Sequence, residues 1–159
     1  MLLLRSTFNR EVVEGLVAGA RHALRAMGAG EGDVTTADVP GAFELPLAAA
    51  AAARSGRFDA VVALGAVIRG ETDHYEHIAR EASAGLAAVA RESGVPVGFG
   101  VLTVREEAQA RARARPGDGN KGAEAARAAV EMARLLRSLG GSAAPAAVPR
   151  ARARGRKIV

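Results

Sequence analysis

Residues 58–74, FDAVVALGAVIRGETDH, decide the fold. Phe58 to Ile68 is a continuous apolar run, the pattern of a strand covered on both faces in a parallel sheet. The turn Arg69-Gly70-Glu71-Thr72-Asp73-His74 follows directly and opens a helix expected over residues 73–92. Gly70 permits a sharp backbone turn, Thr72 or Asp73 can serve as N-cap, and Asp73 and Glu76 have the spacing of a capping box. Free N–H groups and the positive end of the helix dipole suit an anion at this point, phosphate above all. His74 projects from the first helical turn, where an imidazole can exchange protons near neutral pH. A capped helix with an ordinary surface histidine would carry the same signature.

Outward from this segment, strands alternate with helices. Met1 to Thr7 reads as a short buried strand, and Val12, Val13, Leu16, Val17, Ala20, Ala23, Leu24 and Met27 recur at helical spacing up to Gly28. Asp33 to Val39 is a second strand stopped by Pro40-Gly41, and Glu44 to Arg54 an alanine-rich helix closed by Gly56. Val95 to Thr103 forms a fourth strand. Glu106 to Arg115 and Lys121 to Leu139 are two helices separated by Pro116-Gly117-Asp118-Gly119. The alternation predicts an α/β fold, a three-layer α/β/α sandwich around a four-stranded parallel sheet. Ligands in such folds gather at the carboxyl ends of the strands. Those ends are Phe8-Asn9, Gly41-Ala42-Phe43-Glu44, Ile68 to Thr72, and Phe99 to Thr103.

The 159 residues suit one domain. With 49% apolar residues, many of them alanine, and only 3% aromatic, the core packs from small side chains, and subunit association would bury more surface. The absence of cysteine excludes disulfides and thiolate metal sites. No apolar run reaches a membrane span, and MLLLRSTFNR lacks the pattern of a signal peptide, so a cytoplasmic location is expected. The net charge of +5 is carried by Arg150, Arg152, Arg154, Arg156 and Lys157, which leaves residues 1–141 neutral. No nucleic-acid binding is therefore expected of a folded body over 1–140. Residues 141–159 read as a basic, flexible tail, either simply solvated or electrostatically attracted to RNA or an acidic partner.

Several other residues have two readings. His74 and His77 share a helical face, but His22 is the only further histidine, so no metal site is expected. Gly117 to Gly122 matches G-x-G-x-x-G without the preceding strand a dinucleotide site needs. The same loop delivers Lys121, one of only two lysines in the chain, either as a compact donor or as a chance surface residue. Phe8 and Phe99 can stack on a flat heterocycle or pack in the core. Glu44 can cap its helix or accept hydrogen bonds from a ligand N–H. Arg113 is a phosphate partner or a solvated charge.

In order along the chain, Phe8-Asn9, VPGAFELP over 39–46, LGAVIRGET over 64–72 with His74, PVGFGVLT over 96–103, GNKG over 119–122 and VEMA over 130–133 resemble the 6,7-dimethyl-8-ribityllumazine synthase family. The resemblance spans residues 3–139, and PGAFE, VIRGET-x-H and GNKG in that order are specific to it. It implies a flavodoxin-like fold and a transferase of riboflavin biosynthesis. That enzyme condenses 5-amino-6-(D-ribitylamino)uracil with 3,4-dihydroxy-2-butanone 4-phosphate, with no cofactor and no metal.

Position by position, the resemblance assigns Phe8 to stacking on the pyrimidine, beside Asn9. Ala42, Phe43 and Glu44, with Val67 and Ile68, would bind the pyrimidine and ribityl chain. Gly70, Glu71 and Thr72 would hold the phosphate and Arg113 would pair with it. His74 would be the general acid/base, Lys121 a lysine near the ligand, and Phe99 an aromatic from the neighbouring subunit. The family also implies a homo-oligomer, a pentamer that in some members builds a sixty-subunit shell, with riboflavin synthase as a partner enzyme. Three features depart from its pattern: a short N-terminus, Arg115-Pro116-Gly117 before Gly119, and the extra residues after Leu139. Two other readings are a lumazine- or flavin-binding protein without catalysis and a shell whose basic tail recruits cargo.

Overall fold

Strand β3, Val61–Ile68, is buried along all but its last residue, because both of its faces are covered. It pairs in parallel with β1, Leu2–Ser6, on one side and with β4, Val97–Val104, on the other. Strand β2, Thr35–Val39, pairs in parallel with the outer side of β1, giving the order β2-β1-β3-β4. The computed structural model describes residues 1–140; the basic segment 141–159 lies outside the described residues.

Helices α1 (Arg10–Ala26), α4 (Glu107–Ala114) and α5 (Lys121–Ser138) cover one face; α2 (Leu45–Arg54) and α3 (His74–Ser93) cover the other. The strands divide their side chains between the two with a period of two. Leu3, Val62, Leu64 and Ala66 pack under α1 and α5, whereas Leu2, Leu4, Val61 and Ala63 pack under α2 and α3. The architecture is the expected α/β sandwich of flavodoxin-like type.

The element ends differ from the sequence reading for local reasons. The second strand starts at Thr35 and not Asp33, since Glu31–Asp33 form a 3-10 turn in which the Asp33 carboxylate accepts from the Gly30 amide at 2.8 Å. The third begins at Val61, and the fourth at Val97, after Pro96, which has no N–H for the ladder. Ala42–Glu44 form another 3-10 turn before α2. Helix α3 stops at Gly94, whose φ of 70° is left-handed.

Close approach of α1 and α5 depends on residues without bulk. A Cβ on Gly122 would lie 2.0 Å from the Leu16 carbonyl oxygen, so only glycine lets α5 start against α1. Asn120, 1% exposed, is the N-cap: its Oδ1 accepts from the Ala123 amide at 3.0 Å. Its Nδ2 donates to the Ala114 carbonyl at 2.8 Å and toward those of Gly15 and Arg115 at 3.1 Å. One buried amide thus ties the end of α4 and the middle of α1 to the start of α5.

Candidate active site

The chain reverses its direction across the sheet between β1 and β3, and a crevice opens outside the carboxyl ends of the strands at such a point. Here it is a cleft of about 300 Å³. Phe8 and Asn9, which follow β1, form one wall. Ala42, Phe43 and Glu44, from the turn after β2, form a second. Ala66, Val67 and Ile68 from the end of β3 supply the floor, and His74, Tyr75 and Ile78 from the first turns of α3 close it.

Register explains how Phe8 is held there. The β1–β3 pairing ends at Arg5 opposite Leu64, so β3 runs on past its neighbour. The even-numbered residues of β3 turn their carbonyls toward β1, as Ala60 does in accepting from Leu2 at 3.1 Å. The next such carbonyl beyond the pairing, Ala66, accepts from the Asn9 side-chain amide at 2.9 Å. Asn9 can take this place because it adopts the left-handed conformation, φ 53° and ψ 45°, which asparagine tolerates well. Phe8 beside it is 69% exposed and Phe43 55%, so neither is a core aromatic. Two exposed rings flanking a cleft form a surface on which a flat heterocycle can lie. Glu44 makes no side-chain capping bond, which removes the capping alternative and leaves its carboxylate on the cleft.

The turn after β3 departs from the sequence reading in one respect. Asp73 occupies the N-cap position of α3, yet its side chain makes no capping bond, and only the backbone bond from the Glu76 amide to the Asp73 carbonyl, 2.9 Å, is formed. Its φ of −74° and ψ of 3° are not the extended conformation from which an N-cap carboxylate reaches the first-turn amides. The expected capping box is absent. The first-turn N–H groups of α3 are consequently not taken by a side chain, and Gly70, Glu71 and Thr72 lie exposed between Ile68 and His74. The Arg69 guanidinium sits 5.8 Å over the Tyr75 ring, and the Arg69 amide donates to the Val104 carbonyl at 2.9 Å, so the turn is fastened at its start.

A single chain does not bring every candidate residue to this cleft. Arg113, on α4, is exposed and donates to the Gln109 carbonyl at 3.0 Å. Lys121, at the start of α5, holds both oxygens of Glu124 at 2.8 Å. Phe99 is the third residue of the edge strand β4, opposite Ala63 and 47% exposed, so it lies near the strand's amino end and not at the carboxyl end expected from the sequence. None of the three lines the cleft, and neither do Gly70, Glu71 and Thr72, which form the exposed turn at its edge between Ile68 and His74.

Sequence reasoning missed Tyr75 and Ile78. Their spacing from His74, one and four residues on, marks the helical face that looks into the cleft. Among the described residues, no three carboxylate or histidine side chains converge as a metal ion would require.

The family model for 6,7-dimethyl-8-ribityllumazine synthase matches residues 1–137, a span that includes every element of the fold up to the last turn of α5. The chain belongs to the 6,7-dimethyl-8-ribityllumazine synthase family, transferase-type enzymes of riboflavin biosynthesis.

Proposed function

We propose that the protein condenses 5-amino-6-(D-ribitylamino)uracil with 3,4-dihydroxy-2-butanone 4-phosphate to give 6,7-dimethyl-8-ribityllumazine, phosphate and two molecules of water. The observation that carries this reading is the composition of the cleft: two exposed aromatic rings and a carboxylate on two of its walls, and a histidine beside uncapped helix amides where α3 closes it. The pyrimidine lies against Phe8, with Ala42, Phe43, Glu44, Val67 and Ile68 around it and its ribityl chain. Glu44 accepts hydrogen bonds from ligand N–H or hydroxyl groups.

The butanone phosphate sits at Gly70, Glu71 and Thr72, where the α3 amides and the helix dipole attract its charge. Imine formation moves protons between the attacking amine and the departing water, and phosphate elimination removes a proton from carbon. His74, at the mouth of the same helix, is the group that moves them. Holding the phosphate charge makes it a better leaving group, and holding both substrates in one cleft removes much of the entropic barrier.

The active enzyme is a homopentamer acting in the cytoplasm, and Phe99, Arg113 and Lys121 of one subunit complete the cleft of the next. Their position outside the cleft within a single chain supports this arrangement. A small-molecule assay tests the reading. Purified protein with both substrates should yield the lumazine's absorbance and fluorescence well above the uncatalysed rate, and light scattering should report five subunits per particle. Binding of riboflavin or lumazine without turnover would overturn it.

A further inference from the structure

We propose that the cavity between α1 and the α4–α5 loop is a second small-molecule site, one that takes a phosphate monoester with a small apolar body. The cavity measures about 430 Å³, within the range of small-ligand pockets. It lies on the α1/α5 side of the sheet and shares no lining residue with the Phe8–His74 cleft.

Its floor is made of Gly15, Ala18, Ala114 and Ala123, side chains that end at or before Cβ. The floor is rigid, because the buried Asn120 amide ties α1, α4 and α5 together beneath it. The rim is charged. His22 and Arg25 stand one helical turn apart on α1, Arg127 comes from α5, and Asp118 is the single acid.

The arginines of α1 and α5 differ in whether they have a partner within the chain. On α1 and α5, Arg10 pairs with Glu14, Arg21 donates to the Thr36 hydroxyl, Arg134 to the Met27 carbonyl, and Arg137 pairs with Asp59. Among the described residues, the two arginines of these helices with neither a hydrogen bond nor an ion pair are Arg25 and Arg127. Both line this cavity. Glu124, one turn before Arg127, is held by Lys121 and does not neutralise it.

Two guanidiniums beside an apolar floor match a ligand with an anionic head and an apolar body. A phosphate monoester carries about two negative charges at neutral pH and accepts bidentate hydrogen bonds from arginine. Asp118, between Gly117 and Gly119 on an exposed loop, can turn its carboxylate to solvent.

The experiment is calorimetric titration of the full-length protein with phenyl phosphate and, separately, inorganic phosphate. An Arg113→Gln background weakens the phosphate site assigned to the catalytic cleft. Phenyl phosphate should bind saturably there and more tightly than inorganic phosphate. Arg25→Gln and Arg127→Gln should each weaken it about tenfold, the size expected when one charge-assisted hydrogen bond is lost. Ala18→Leu, an exposed helical position, should reduce the advantage of phenyl phosphate over inorganic phosphate while the circular dichroism stays native. Absence of saturable binding would overturn the proposal. So would binding that disappears in Arg113→Gln alone, or that survives both Arg25→Gln and Arg127→Gln unchanged. None of these results depends on whether the lumazine is made.

Discussion

The Asn9 side-chain amide donates to the Ala66 carbonyl across 2.9 Å, occupying the place in the ladder that β1 has vacated. Removing it leaves that carbonyl without its partner at the floor of the cleft and loosens the loop that carries Phe8. Asn9→Ala also forces alanine into the left-handed region at φ 53°. The expected loss is roughly 1–3 kcal/mol in urea denaturation. Asn9→Gly keeps the backbone comfortable and deletes only the hydrogen bond, so it should cost less than Asn9→Ala. Equal losses would mean that backbone strain contributes nothing here.

His74 is exposed and its side chain makes no hydrogen bond among the described residues, so its removal should scarcely touch folding. Denaturation midpoints of His74→Ala should imply a change within about 0.5 kcal/mol. Turnover should fall by about 10²–10⁴-fold, the usual contribution of a positioned proton-transfer group, with a smaller change in KM. A variant with undiminished kcat would remove His74 from the chemistry.

Arg5 and Asp38 stand opposite each other in the β1–β2 register, joined by two hydrogen bonds of 2.8 Å, and Glu14 takes a third guanidinium nitrogen at 2.7 Å. The Arg5 hydrogen bond holds the Asp38 carboxyl below its ordinary value, with partial desolvation opposing it. A lowered folded-state pKa means that the unfolded chain binds the proton more readily. The pair's contribution is therefore complete above the unfolded aspartate value of about 3.9 and is lost as pH falls through the lower folded value. Urea midpoints measured from pH 7 down to pH 3 should fall more steeply for the wild type than for Asp38→Asn. Parallel curves would show that the pair has no linkage to folding.

Asn120, itself 1% exposed, satisfies one amide and faces three carbonyls. Asn120→Ala should cost at least about 2 kcal/mol, since several buried backbone groups lose their partner together. Asn120→Asp, which keeps the cap to Ala123 but loses the donor and faces carbonyls with a carboxylate, should not recover the loss. Thermal melting of both variants gives the answer.

The fold was legible because its signals are local. The unbroken run 58–68, alternation with helical periods, and Gly or Pro at the element ends each report on a few neighbouring residues, and β3 and α3 follow from them directly. The cleft lies at the ends of β1, β2 and β3, three of the four strand ends where topology says ligands gather; the β4 stretch Phe99–Thr103 takes no part in it. What failed was set by dihedral angles and by distant parts of the chain. The Asp73–Glu76 spacing looks like a capping box, but the box depends on Asp73 being extended, which spacing cannot report. Asn120 is read from the sequence as part of a loop that delivers Lys121. Its side chain packs against Gly19 and donates toward the Gly15 carbonyl, both about one hundred residues earlier, and no local pattern reveals that contact. Phe99, Arg113 and Lys121 are outside the cleft of their own chain, and the proposed function gives them a common role through a neighbouring subunit.

That relation has a direct test in subunit mixing. If the cleft takes His74 from one subunit and Arg113 from the next, His74→Ala and Arg113→Ala oligomers are each deficient at every site. Co-refolded in equal amounts, the two variants form particles in which a His74→Ala subunit sometimes follows or precedes an Arg113→Ala subunit. Where the interface draws its His74 from the Arg113→Ala chain and its Arg113 from the His74→Ala chain, both groups are native. Random assembly places about a quarter of the interfaces in that arrangement, because each of two neighbours has an even chance of being the required variant. The mixture should therefore recover about a quarter of wild-type kcat per site, while the separately refolded variants, combined without subunit exchange, should not. If both groups belonged to one chain, every site would carry one of the two lesions and mixing would restore nothing.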